Sequence, residues 1–183
     1  MKVLFVCTGN LCRSPMAEGL LRHALEARGC TDVEVASAGT WGGEGSRSTP
    51  EAIAVLRERG IDIGSHRSRG LDSREVEAAD VVVAMTSVHV REILDIAPNA
   101  GPKVVLLKAL AEIECPPSRD AAERFQAWLA APRPEWHRAM DLDDPIGLPF
   151  GAYERCVREL EAGVSALADV LCGSENEGST RRL

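Results

Sequence analysis

Apolar residues in this chain gather in short runs that alternate with amphipathic stretches of helical period. Lys2 to Val6 is a run rich in β-formers, and a glycine-bearing turn follows it. From Pro15, PMAEGLLRHALEARG puts Met16, Leu20, Leu21 and Leu25 on one helical face. Ser14 suits the N-cap of that helix, Pro15 its first turn, and Gly29 ends it. Val33 to Ala38 reads as a second strand. A loop rich in Gly and Ser, Gly39 to Thr49, leads to Pro50 and a helix ending near Gly60. ADVVVAM, Ala79 to Met85, does not alternate, which predicts a strand buried on both faces. A helix over Val88 to Leu94 and a fourth strand over Lys103 to Leu107 complete the regular part.

Strands separated by helical segments call for right-handed crossovers and a parallel sheet. The predicted fold is α/β: one domain over residues 1–172, a four-stranded parallel sheet with helices on both faces. Ala109 to Asp143 reads as an excursion between core elements, fenced by Pro116, Pro117, Pro132 and Pro134. Within it, SRDAAERFQAWLAA predicts an amphipathic helix burying Phe125, Trp128 and Leu129. The last helix, about Ala152 to Leu171, carries Val157, Leu160, Val164, Leu167 and Leu171 along one stripe. Residues 173–183 lack an apolar pattern and are predicted to be a disordered tail.

Composition narrows the partners. With 45% hydrophobic and 4% aromatic residues, the core is built from Val, Leu, Ile and Ala. A net charge of −7 argues against nucleic acid, whose phosphates need clustered Lys and Arg, and against a broad anionic membrane surface. MKVLFV is not a secretory signal, because Cys7 to Arg13 interrupts the apolar run, and no stretch approaches the ~18 apolar residues of a membrane span. The six cysteines therefore read as reduced thiols of a cytoplasmic protein.

The chemistry gathers in VCTGNLCRSP, Val6 to Pro15. In an open parallel sheet, ligands bind beyond the carboxyl ends of the strands. The turn between strand one and its helix aims backbone N–H groups and the positive helix end into one concavity, which suits a tetrahedral oxyanion such as phosphate. Arg13 adds a planar fork for two phosphoryl oxygens. Helix end, amides and Arg13 all favour the thiolate of Cys7 over its thiol, and a thiolate facing a phosphoryl group is a nucleophile. Ser14 can offer its hydroxyl to the departing sulfur. Gly9 permits a tight turn, and Asn10 tolerates a left-handed backbone. Such attack needs an acid for the leaving group, and DLDDPIG, Asp141 to Gly147, is a proline- and glycine-bearing loop able to supply one.

Cys7 to Pro15, Asp144-Pro145 and the SAGT after strand two resemble the low-molecular-weight protein tyrosine phosphatase family, over about Lys2 to Leu171. The resemblance implies Cys7 as the nucleophile that carries a phosphocysteine, Arg13 as the phosphoryl clamp and Asp144 as the acid. It implies a phosphate loop of Thr8, Gly9, Asn10, Leu11, Cys12, Arg13 and Ser14. Asn10 and Ser14 would shape that loop, with His66 of HRSR bonding to it. Cys12 would be a redox partner for Cys7, able to protect it as a reversible disulfide. Phosphorylated proteins would be the substrates and inorganic phosphate the product. No metal or organic cofactor is called for, because no Cys/His cluster has ligand spacing.

The choice of phosphoryl group stays divided. CTGN, AMTSVH after strand three and DPIG without tyrosines resemble the protein-arginine-phosphatase branch. That branch typically has threonine at the position of Leu11, and leucine packs better on an aromatic ring. Leu11, Trp41 and Ile146 are the candidate pocket residues, and Leu11 tilts the reading to phosphotyrosine over phosphoarginine. A thioredoxin-coupled arsenate reductase starts with the same loop, but needs a further cysteine pair after strand three. Thr86 to Ala97 contains no cysteine.

Overall fold

The computed structural model describes residues 1–132 and 138–173. The predicted tail, residues 173–183, lies outside them from residue 174 onward, as does Pro134 of the excursion. The strands are β1 (Lys2–Cys7), β2 (Glu34–Gly39), β3 (Val81–Ala84) and β4 (Val104–Leu106). The helices are α1 (Arg13–Ala27), α2 (Pro50–Arg57), α3 (Ser73–Ala78), α4 (Ser87–Ile96), α5 (Ala121–Ala130) and α6 (Phe150–Cys172).

All pairings are parallel and the sheet order is β2-β1-β3-β4. From β1 the chain steps to one side through α1, and from β3 it steps to the other through α4. Right-handed crossovers in opposite directions put α1 and α4 on opposite faces of the sheet, as predicted. α6 packs on α1, so one layer is α1 with α6 and the other is α3 with α4. The sheet is covered on both sides, which is why Val81, Val82, Val83 and Ala84 of β3 are all fully buried and do not alternate.

Several boundaries differ from the sequence reading, each for a local reason. β1 continues through Cys7, which pairs with Gly39. α1 starts at Arg13 with Cys12 at its N-cap, so Ser14 is inside the helix and not its cap. α3 is an additional helix, only six residues long and with one buried side chain, Val76. It starts because Asp72 accepts the amide of Arg74 at 2.7 Å.

In the excursion, Phe125 and Trp128 are buried as expected while Leu129 is half-buried. Arg124 is buried beside them and fastens α5 to the end of α6. Its Nε donates to the carbonyl of Val170 at 2.6 Å and its Nη1 to that of Ser118 at 2.7 Å. A cation there also meets the negative end of the α6 dipole. The five predicted stripe residues of α6 are all buried.

The cysteines are not all reduced. Cys30 and Cys172 form a disulfide, with Cα atoms 6.1 Å apart, while Cys7, Cys12, Cys115 and Cys156 are not disulfide-bonded. The packing of α6 on α1 brings the two helix ends together, and a separation of 142 residues hides this from any local pattern. Closing so long a loop restricts the unfolded chain. Cys172→Ser should therefore lower stability by about 2–5 kcal/mol. A urea titration of the full chain without reductant would read this as a lower midpoint, and an unchanged midpoint would exclude a stabilising role.

Candidate active site

Residues 8–12 leave β1 and enter α1 as a tight loop, and three sets of contacts hold it. Gly39 lies beneath it: a Cβ there would stand 2.5 Å from the Thr8 carbonyl oxygen, so a side chain would push the loop off the sheet. The following residues fasten on: Thr40 N and Trp41 N donate to the carbonyls of Cys7 and Thr8, both at 2.9 Å. Asn10 then turns the chain in the left-handed region, φ 55°, as its residue type predicts.

The Asn10 side chain is fully buried and its polar atoms all have partners. Nδ2 donates to Ser14 Oγ at 2.9 Å and to Ser37 Oγ at 2.8 Å, while Oδ1 accepts the Arg69 amide at 3.1 Å. His66 Nε2 donates to the Asn10 carbonyl at 3.0 Å, so the predicted supporting histidine does reach the loop. Ser37 Oγ passes the network on to Glu18 Oε2 at 2.6 Å.

Cys7 Sγ lies 2.9 Å from Ser14 Oγ, at the buried floor of this cradle. Ser14 Oγ accepts from Asn10, and its one hydrogen can go to the sulfur or, at a longer 3.5 Å, to the Ala38 carbonyl.

Arg13 is 4% exposed, and its fork crosses the cradle. Nη1 donates to the Leu142 carbonyl at 3.0 Å, and Nη2 is ion-paired with Asp144 Oδ2 and within 3.4 Å of Thr8 Oγ1. Asp144 Oδ1 accepts the Ile146 amide at 3.1 Å, so the carboxylate is oriented by its own loop. The neighbouring acids are placed differently. Asp141 accepts from Ser87 N at 2.6 Å and Ser87 Oγ at 3.2 Å, tying the loop to the start of α4. Asp143 is exposed.

Cys12 is buried beside the cradle, with Sγ 3.5 Å from Thr49 Oγ1 and 3.8 Å from the Tyr153 hydroxyl. Burial pushes the Cys12 thiol pKa up, and burial pushes that of Tyr153 up to about 12. Of the predicted pocket residues, Leu11 is half-buried on the loop, while Trp41 and Ile146 stand 77% and 50% exposed. The Trp41 indole is anchored by donating to Glu92 Oε1 at 2.8 Å. A cleft of about 470 Å³ lies behind the loop between α1 and residues 60–66, and Cys7 does not line it.

Sequence reasoning passes over Ser37, Thr49, Tyr153, Arg69 and His89. His89 Nε2 is 2.9 Å from Thr8 Oγ1 and its Nδ1 is 2.9 Å from Thr86 Oγ1. Burial, with the charge of Arg13 adding to it, lowers its pKa to about 4, so the ring is neutral in neutral solution. AMTSVH contains both Thr86 and His89, but a histidine in the first turn of a helix says nothing by itself about a loop 81 residues away.

Comparison with known proteins agrees with this arrangement. The sequence model for low molecular weight phosphotyrosine protein phosphatase matches residues 2–114. The chain is 36% identical over 170 residues to a protein-arginine-phosphatase of Geobacillus stearothermophilus, covering 93% of this chain and 95% of that one. It is 41% identical over 164 residues to a probable low molecular weight protein-tyrosine-phosphatase, EpsP, of Ralstonia nicotianae, covering 90% and 91%. Among solved structures it resembles the YwlE arginine phosphatase with a phosphorylated active-site serine. There the TM-score is 0.74 at 31% identity, over 96% of this chain and 99% of that one. An oxyanion cradle on β1 and α1, with matches of this length, places the chain in the low molecular weight phosphotyrosine protein phosphatase family.

Proposed function

We propose that this chain hydrolyses phosphotyrosine in phosphorylated proteins through a phosphocysteine, releasing inorganic phosphate. The observation that carries the reading is the Arg13–Asp144 ion pair, which brings a carboxyl 131 residues away to the mouth of the cradle that holds Cys7. Nucleophile, clamp and acid then share one concavity.

The steps follow from these positions. A phosphoryl group entering the cradle takes the loop amides and Arg13, and its oxygens displace the Asp144 carboxylate from Nη2. The freed carboxylate then takes up a proton from solvent or from the phosphoryl monoanion. Cys7 Sγ attacks phosphorus, the bond from phosphorus to the tyrosine oxygen breaks, and Asp144 gives its proton to that oxygen. Water then attacks the phosphocysteine, Asp144 takes the proton, and the phosphorus–sulfur bond breaks. The Ser14 hydroxyl donates to the departing thiolate. Asn10 and His66 keep the loop in the geometry this requires, so they act as positioning residues.

Phosphoarginine is the second reading, favoured by the relatives named protein-arginine-phosphatase. The same steps apply, with the proton of Asp144 going to the guanidine nitrogen. Leu11 supports phosphotyrosine over it: an apolar side chain, half-buried, on the loop itself suits an aromatic ring better than a guanidinium. Trp41 and Ile146 would form the outer walls for an aromatic ring.

Cys7→Ser should abolish turnover of a phosphotyrosine peptide while phosphate still binds, because the loop amides and Arg13 remain. Asp144→Asn should slow poor leaving groups by roughly 10²–10⁴-fold, while Asp143→Asn should leave the rate near wild type. Substantial turnover by Cys7→Ser, or greater damage from Asp143→Asn, would reassign the chemistry.

Dilute peroxide should inactivate the enzyme by forming a Cys7–Cys12 disulfide. Dithiothreitol should restore the wild type and fail to restore Cys12→Ala. Equal recovery of the two proteins removes Cys12 from that role.

Leu11→Thr should lower kcat/KM for phosphotyrosine about 5–30-fold, from the loss of ~1–2 kcal/mol of apolar burial, and raise it for phosphoarginine. A wild type that already prefers phosphoarginine would reverse the choice of substrate and leave the cradle chemistry in place.

A further inference from the structure

Thr8 follows Cys7 in the cradle and is exposed at its mouth, yet its hydroxyl is held from two sides. Arg13 Nη2, 3.4 Å away, can only donate, so Thr8 Oγ1 accepts there. The other neighbour is His89 Nε2 at 2.9 Å, on a side chain that is 3% exposed. The same Nη2 carries the Asp144 carboxylate, and that oxygen marks where an anion sits on Arg13. Thr8 Oγ1 therefore flanks the position that a phosphoryl oxygen would take.

The direction of the hydrogen bonds decides what Thr8 can offer. Thr86 Oγ1 accepts the His89 amide at 3.3 Å as the N-cap of α4, and it lies 2.9 Å from His89 Nδ1. A neutral imidazole has one N–H and one lone pair. With Thr86 donating to Nδ1, Nε2–H donates to Thr8 Oγ1. Both Thr8 lone pairs are then used, by His89 and Arg13, and its hydrogen is left to point at the anion. In the opposite tautomer Thr8 spends its hydrogen on Nε2 and has none for a ligand. The first arrangement also uses the Thr86 hydroxyl fully, as acceptor from the amide and donor to the ring.

We propose that His89 is a positioning residue for phosphate binding: through Thr8 it holds a hydroxyl donor toward the phosphoryl group and steadies Arg13 beside it. This rests on the phosphatase reading above and adds to it a side-chain donor that the loop amides and Arg13 do not supply.

The test is a double-mutant cycle read in phosphate affinity and in kinetics. Inorganic phosphate binding is measured by calorimetry on the full chain, and KM and kcat on a phosphotyrosine peptide. Thr8→Val and His89→Leu should each weaken phosphate binding about 5–30-fold, as expected for loss of a hydrogen bond to a charged group. The loss should fall on KM more than on kcat. The double variant should bind no worse than the weaker single one, because both remove the same donor. Thr8→Ser and His89→Gln, which keep the hydroxyl and an N–H, should recover most of the affinity. Additive losses in the cycle, or no rescue by Thr8→Ser, would overturn the proposal. Thr8 is exposed, so Thr8→Val tests the donor even if His89→Leu fails to fold, and unchanged phosphate affinity in Thr8→Val alone sinks the idea. A wild type that binds phosphate but hydrolyses neither phosphotyrosine nor phosphoarginine would instead refute the phosphatase reading, and the binding cycle would still decide the role of Thr8.

Discussion

A buried guanidinium must be surrounded by oxygen, because an unpaired charge away from water is costly. Arg13 is such a group, and much of the site follows from how its nitrogens are served. Its oxygens come from Leu142, Asp144 and Thr8, that is, from the acid loop and from the start of the phosphate loop. The cation that would grip an anion thus also assembles the segment that would act on it. Asp144 is the negatively charged partner of Arg13 here, so an anion entering the cradle would exchange one such partner for another.

The loop of residues 8–12 lies between β1 and α1 and belongs to neither, so it needs support of its own. Asn10 supplies it from the inside, with one side chain bridging Ser14, Ser37 and the backbone at Arg69. A fully satisfied buried network of this kind fixes one geometry, since any shift leaves a polar group unpaired. Gly39 adds a steric condition, and the Cys7–Gly39 pairing at the end of the sheet sets the height of the loop above it.

How much of this the sequence discloses depends on whether the signal is local. The β1–loop–α1 junction is legible because an apolar run, a turn and an amphipathic helix follow each other within a few residues, and the same loop contains Cys7 and Arg13. Asn10 is legible because few other residues suit its φ. Asp144 is reachable through its proline and glycine neighbours, although the roles of Asp141 and Asp143 separate only when Ser87 is seen beside the first of them. Ser14 misleads, since N-cap preference and a bond to sulfur draw on the same hydroxyl. His89, Tyr153 and the Cys30–Cys172 bond are not legible, because each contact is made by packing across 81, 141 or 142 residues and leaves no periodic trace. The short α3 escapes for the opposite reason: it is too brief to show a period.

The way the acid loop is moored has a consequence for how this chain can change. Leu142 N bonds to the Met85 carbonyl at the end of β3, Asp141 holds the start of α4, and Leu142 O holds Arg13. Position 144 is therefore registered against the sheet by its immediate neighbours, and the excursion that precedes it only has to return the chain to Met85. Loop-closure entropy grows only with the logarithm of length. Changes of length between β4 and Asp141 that spare the buried Leu107, Leu110, Arg124, Phe125 and Trp128 would therefore leave the carboxyl of position 144 paired with Arg13.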